Sequence, residues 1–316
     1  MKKPTKYYST IILRYSTYDR FLFRFADRSE AISPSVEVLD RIRSCMIYFL
    51  CKRPIISIKP GSLMLTGEVY RLTLGYKING ILFEQEVALL NGMLPAISGR
   101  HEIAPYPHKS ILSYDEDGNQ LCETLISNFV HLLLELPPKI RDLEVLYIGK
   151  GTSDCAIDRL DGHSTLEKIL ADILRDDLDS EVAILLHSFT YKKDALAAPH
   201  LGEKAEIRGE PAKVHFAQVL AYKPTIEAQT LMIEAMLIDY FKTDRYNNHY
   251  TNGLSKNHSA LKDFYSVDFD ALVVEMNNEN IGYLKVYSAA VQPSYAHNII
   301  LDVRKNEGRE SLLSVD

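Results

Sequence analysis

The chain has 316 residues, 46% hydrophobic and 25% charged, ordinary values for a folded protein that exclude a disordered or collagen-like chain. That length suits two domains, because single cores stop growing near about 250–300 residues. The net charge of −6 argues against a histone-like protein that holds nucleic acid by bulk electrostatics alone.

The charge is unevenly spread. Residues 1–60 hold twelve Lys and Arg against five Asp and Glu, so Arg14, Arg20, Arg24 and Arg28 are read either as a basic surface for nucleic acid or as an ordinary solvated face. An amphipathic helix is expected from Ser35 through Val38, Leu39, Ile42, Cys45, Met46 and Phe49, ending before Pro54. A hairpin follows. Leu72, Leu74, Tyr76 and Ile78 alternate with polar or small residues up to Asn79-Gly80, a favoured type I′ turn pair, and a strand resumes at Ile81-Leu82-Phe83. The prolines, histidines and Asp115–Asn119 turn between Ile97 and Asn119 show little periodicity, which sets the domain junction between about 110 and 127.

Strands are expected over Phe129–Leu136 and Leu143–Ile148, then Gly149-Lys150-Gly151, a helical stretch from Ala156 to His163, and a helix opened by a Ser164/Glu167 capping box. Val182–Phe189 and Val214–Ala221 read as strands, Thr225–Lys242 as a long helix, and Ala271–Met276 and Tyr283–Ala289 as strands. Cys45, Cys51, Cys122 and Cys155 are scattered without zinc or disulfide spacing and read as reduced thiols. No apolar run is long enough to span a membrane, and a cytoplasmic setting is expected.

The chemistry concentrates after the Leu143 strand. Gly149-Lys150-Gly151 lets backbone approach a ligand beside a cation, and Arg159 and His163, four apart, share a helix face suited to phosphate. The Walker A spacing is absent. On the long helix, Glu234 lies in the apolar sector with Thr230, Leu231, Leu237 and Ile238 as neighbours. A carboxylate so placed needs either an arginine from elsewhere or a bound cation.

Tyr147-Ile148-Gly149, Arg159, His163, Glu234 and Asn247, in this order, resemble the GIY-YIG nuclease superfamily over residues 127–252. Phe129-Val130-His131-Leu132-Leu133-Leu134 with Tyr147–Gly151 is similar to its LEM-domain-associated branch. The first tripeptide, GIY, is absent, and His131 takes the place of its tyrosine. The resemblance implies an α/β (α+β) architecture: a GIY-YIG-like small mixed sheet flanked by helices at 127–252. Outside that span, residues 1–125 read as a separate N-terminal α+β domain that selects or positions substrate or senses a trigger, and 253–316 as a C-terminal extension that packs on either domain.

It also implies a Mg²⁺- or Mn²⁺-dependent endonuclease acting on DNA. His131 or Tyr147 would orient the water, Arg159 neutralise charge, and Glu234 hold the metal. Lys150 would contact phosphate or lower the pKa of Tyr147, Gly151 would meet nucleic acid, His163 would support the nucleophile or the phosphate, and Asn247, or its neighbour Asn248, would position backbone or metal waters. Two other readings stay open: a nucleic-acid-binding sensor that keeps the fold without cleaving, and a structure-selective RNA nuclease. Cleavage of both strands often takes two active sites, which leaves a homodimer open.

Overall fold

The structure is a computed structural model that describes residues 7, 9–27, 35–67, 69–89, 92–95, 99–151, 156–160, 163–197, 205–247, 254–255, 267, 269–302 and 313–314. Its strands in chain order are β1 (Ser9–Arg24), β2 (Ile47–Pro54), β3 (Ile56–Ile58), β4 (Met64–Thr66), β5 (Val69–Ile78), β6 (Ile81–Leu89), β7 (His101–Ile103) and β8 (Ser110–Tyr114). Then follow β9 (Gln120–Leu125), β10 (Leu143–Lys150), β11 (Ser180–Ala197), β12 (Leu254–Ser255), β13 (Ala271–Asn277), β14 (Val286–Tyr287), β15 (Ala296–Asp302) and β16 (Leu313–Ser314). The α-helices are α1 (Val36–Arg43), α2 (Pro138–Arg141), α3 (Ser164–Asp176), α4 (Glu210–Ala221) and α5 (Ile226–Phe241).

Seven strands form one mixed sheet in the order β14-β10-β2-β11-β1-β13-β15. Its central strands are covered on both faces, so they read as continuous apolar runs rather than as alternation. Ile47, Phe49 and Cys51 of β2 share a core with Leu231, Leu237 and Phe241 of α5. The intervening Tyr48 and Leu50 point the other way, into a core with Leu166, Ile169 and Ile173 of α3 and Ile42 of α1. Helix α5 is buried almost all round, from Ala228 to Phe241, as expected of a helix without a polar face. Thr225 caps it, its side chain accepting from the Ala228 N–H at 3.2 Å.

A third core, with Leu72, Leu74, Val87, Ile111, Phe129 and Ile140, belongs to the segment 55–140 inserted between β2 and β10. It carries a sheet of β3 to β6 and a second of β7 to β9. The Asn79-Gly80 turn is as expected, with φ of 53° and 77°, values Gly adopts freely and Asn better than most residues. Among the described residues no helix is long and apolar enough to cross a membrane.

The structure corrects several expectations. The helix from Ser35 stops at Arg43, and Ile47–Pro54 is a strand; a five-residue apolar run suits a strand buried on both faces as well as a helix. Phe129–Leu136 is not a strand but short 3-10 turns, and Val214–Ala221 lies in helix α4. Of Tyr283–Ala289 only Val286–Tyr287 is strand. The stretch 110–127 holds the paired strands β8 and β9 rather than a junction. The boundaries at 125/127 and 252/253 do not divide the main sheet, which takes β1 and β2 from the first segment, β10 and β11 from the second and β13 to β15 from the third. The unit with its own core is internal, not N-terminal.

Several histidines are buried neutral. Burial lowers the pKa of His187 to about 3 and, together with Arg53, that of His131 to about 4. The unfolded chain takes up these protons near pH 6.5, the native state only far below it. Their contribution to stability is therefore present above pH 6.5 and lost as pH falls from there toward about 4. Unfolding free energies from urea titrations at pH 7, 5.5 and 4.5 are expected to drop, by on the order of 1 kcal/mol per pH unit for each such histidine.

Candidate active site

Strands β2 and β10 run antiparallel, with Tyr48 opposite Gly149 and Leu50 opposite Tyr147. The Tyr48 ring crosses Gly149 so closely that a Cβ there would collide with its Cζ and hydroxyl, and would lie 2.8 Å from Cε1 of Tyr147. Glycine at 149 is thus required by a close approach, not by a turn. Sequence reasoning missed Tyr48. Its only signal was the Ile47-Tyr48 pair, hidden inside the run assigned to the helix.

His163 joins the two tyrosines. It, rather than Ser164, is the N-cap of α3, its Nδ1 accepting from the Leu166 N–H at 3.2 Å. Its Nε2 lies 3.1 Å from the Tyr48 hydroxyl, and its ring centroid is 5.4 Å from that of Tyr147. Since Nδ1 accepts, the ring proton of the neutral imidazole sits on Nε2 and is donated to Tyr48. Burial, and then Arg159, lowers the His163 pKa, which keeps that tautomer in place at neutral pH. The Tyr48 hydroxyl, accepting from Nε2, gives its own proton to the Tyr147 hydroxyl, a bond that raises the pKa of Tyr48 and lowers that of Tyr147.

Burial raises the pKa of both tyrosines, and for Tyr147 the next cause is the charge of Glu234. Glu234 also raises Tyr48, whereas Arg159 lowers both. The charges of Glu234 and Arg159 are thus within electrostatic reach of both phenols. Arg159 stands on a 3-10 turn, Asp158–Leu160, with its side chain exposed. Glu234 is 4% exposed and receives the Lys150 ammonium at 3.0 Å. The buried carboxylate therefore has a lysine partner from β10, where a distant arginine or a cation was expected. A carboxylate that also needs waters and substrate oxygens around its cation fits Mg²⁺ or Mn²⁺, and Glu234 is the residue that would hold one. Among the described residues no cluster of three or more metal-ligating side chains occurs.

Strand β14 covers β10 only at Leu143 and Glu144, so the edge of β10 is open at Ile148. Asn247 closes it. Its Nδ2 donates to the Ile148 carbonyl at 2.7 Å and its Oδ1 accepts from the Ile148 N–H at 3.1 Å and from Thr243 at 2.8 Å. The residue expected to position backbone or waters positions the strand that carries Tyr147 and Lys150. Asn247→Ala leaves two buried backbone groups unpaired and is expected to lower stability by about 2–4 kcal/mol, read from the shift in urea midpoint.

Other expected site residues lie elsewhere. His131 is buried in a 3-10 turn of the inserted segment, where its carbonyl accepts from the Tyr283 N–H at 2.8 Å. Arg53, whose charge it feels, is five residues along β2 from Tyr48, a separation of roughly 17 Å. His131 is thus at the far end of the strand from the tyrosines. Gly151 is buried and its N–H is given to the Met46 carbonyl at 2.8 Å.

The basic N-terminal surface is largely committed to the protein itself. Arg14 pairs with Asp194 at 2.6 Å and with Glu275, and Arg24, 7% exposed, lies 3.6 Å from Glu181. Arg20 is partly buried, which lowers its pKa. Strands put these arginines beside carboxylates that are remote in sequence, a pairing that counting charges along the chain does not reveal. Arg28, Asn248 and Cys155 lie outside the described residues.

No protein-family model, curated protein or solved structure matches the chain.

Proposed function

We infer that the protein is a metal-dependent phosphodiesterase that cleaves nucleic acid, DNA before RNA, at the side chains gathered where β2 crosses Gly149 of β10. The observation that carries this reading is the convergence of Tyr48, Tyr147, His163, Arg159, Lys150 and Glu234 around Gly149. In the terms of the resemblance to the GIY-YIG superfamily, Met46-Ile47-Tyr48 stands for the first tripeptide with Met in place of Gly, and the 55–140 segment separates it from Tyr147-Ile148-Gly149. Tyr48 then takes the role otherwise placed at His131.

Each group has work in such a reaction. Tyr48, oriented by the His163 N–H, aligns the attacking water with its hydroxyl, and Tyr147 borders the same position. Arg159, exposed on its 3-10 turn, meets the non-bridging oxygens as charge builds on the phosphate. Lys150 adds a second cation, and Glu234 anchors the divalent ion. When bound, that ion supplies charge neutralisation for the phosphate and the leaving oxygen. A carboxylate so neutralised also ceases to raise the tyrosine pKa values, which brings the phenols closer to ionisation.

The experiment is cleavage of supercoiled, branched and single-stranded DNA and of RNA with Mg²⁺ or Mn²⁺, beside Glu234→Gln. The expected result is metal-dependent cleavage that falls by at least about 100-fold in the variant. Equal cleavage by Glu234→Gln sinks the mechanism. Binding without cleavage of any substrate moves the reading to a nucleic-acid sensor.

A further inference from the structure

At the other end of β2, where the main sheet meets the inserted segment, one carboxylate serves three cations. Glu181 of β11 lies 3.2 Å from Arg53 Nε, 3.6 Å from Arg24 Nη1 and 3.7 Å from Lys109 Nζ. Even with Arg24 balanced by other groups, Arg53 and Lys109 share that single negative charge.

Arg53 is 2% exposed, and the cost of burying a guanidinium falls only if its donors are met. Nε goes to Glu181 and Nη2 to the Ser127 carbonyl at 3.4 Å, while Nη1 is buried with no acceptor among the described residues. His131 is 7% exposed, and its Nδ1 is likewise buried without a partner. Arg53 Nη1 is a cationic donor without an acceptor, and His131, which feels the Arg53 charge, brings a second unpartnered nitrogen to the same joint; with its ring proton on Nδ1 it too donates, and such a pair calls for an acceptor with negative charge. A water molecule would meet the hydrogen bonds but not the excess charge. Lys109, its side chain one-quarter exposed, offers the way in.

We propose that this joint between β2, β11 and the inserted segment binds a small inorganic anion, of the size of chloride or phosphate, on Arg53 and His131 with Lys109 at the entrance. The anion ties the insertion to the sheet that carries Tyr48, so its occupancy stiffens the connection between them. The site lies far from Glu234, and the proposal stands whether or not the protein cleaves nucleic acid.

The test is thermal melting of the full chain in chloride, in phosphate and in gluconate, a larger organic anion, at equal ionic strength. A saturable rise of several degrees is expected with chloride or phosphate and not with gluconate, and the arm that saturates at lower concentration names the anion. Lys109→Met is expected to raise the half-saturating concentration by about tenfold, and Glu181→Gln, which removes the competing carboxylate, to lower it. Bromide soaked into crystals is expected to give an anomalous peak between Arg53 and His131. A melting shift that follows ionic strength alone, equal for all three anions and unchanged in both variants, overturns the proposal and leaves water at the joint. So does an absent bromide peak.

Discussion

Tyr48→Phe is expected to lower metal-dependent cleavage by about 100-fold or more while shifting the melting temperature little. The phenol is the group that His163 orients, at 3.1 Å from Nε2, and loss of a positioned acid or base group typically costs about 10²–10⁴ in rate. Its share in stability is limited to its hydrogen bonds with His163 and Tyr147, about 1 kcal/mol each, because the ring still fills the space over Gly149. Initial rates on the best substrate, beside melting curves, separate the two effects. If Tyr48→Phe keeps full activity while His131→Phe loses it, the base belongs to His131 and the β2 site is wrong. Gly149 offers an independent check on the same geometry, since any Cβ there displaces the Tyr48 ring.

Lys150→Met is expected to destabilise the metal-free protein by about 2–4 kcal/mol, because it leaves the Glu234 carboxylate without its ammonium partner. Lys150 is one-fifth exposed, which holds the figure below that of a fully buried pair. In the native chain a divalent ion must compete with this lysine for Glu234. Removing the lysine lifts the competition, so Mn²⁺ is expected to bind Lys150→Met about tenfold more tightly or better, read by calorimetry or by Mn²⁺ resonance. Cleavage falls nonetheless, since the phosphate loses a cation. Metal binding to neither protein would remove the metal from the mechanism. Equal affinity for both would show that Lys150 does not guard the carboxylate.

Local patterns were readable wherever a single element settled them. Thr225 caps the long helix, Asn79-Gly80 turns the hairpin, and Leu143–Ile148 is strand, because the determinants of each lie within a few residues. Two of the errors share one cause. Ile47–Cys51 and Val214–Ala221 are short apolar stretches whose period fits helix and strand alike, and burial on both sheet faces, or on none, resolves them only in three dimensions. Misreading β2 as helix hid Tyr48, and with Tyr48 hidden His131 was the nearest candidate before Tyr147. The domain boundary near 127 rested on the low periodicity of 97–119, where the structure instead places β7 and β8, short strands of the inserted segment paired with each other and, through β8, with β9.

The charge arithmetic that singled out residues 1–60 was sound as arithmetic and misleading as geometry. Arg14, Arg24, Arg41 and Arg53 answer carboxylates at positions 194, 275, 181 and 19, most of them distant in the chain. By itself the sequence determined the chemical types at the candidate site: Tyr147, Lys150, Arg159, His163, Glu234 and Asn247 could be picked out by residue type and by local spacing. Only the tertiary structure decided which of them meet. Strand pairing brings Tyr48 across a long insertion to Gly149, turns Asn247 into the clamp on Ile148, and gives Glu234 its partner in Lys150. Spacing along a helix or strand is set by backbone geometry over a few residues, whereas these contacts depend on which strands share a sheet, a choice made by burial over the whole chain.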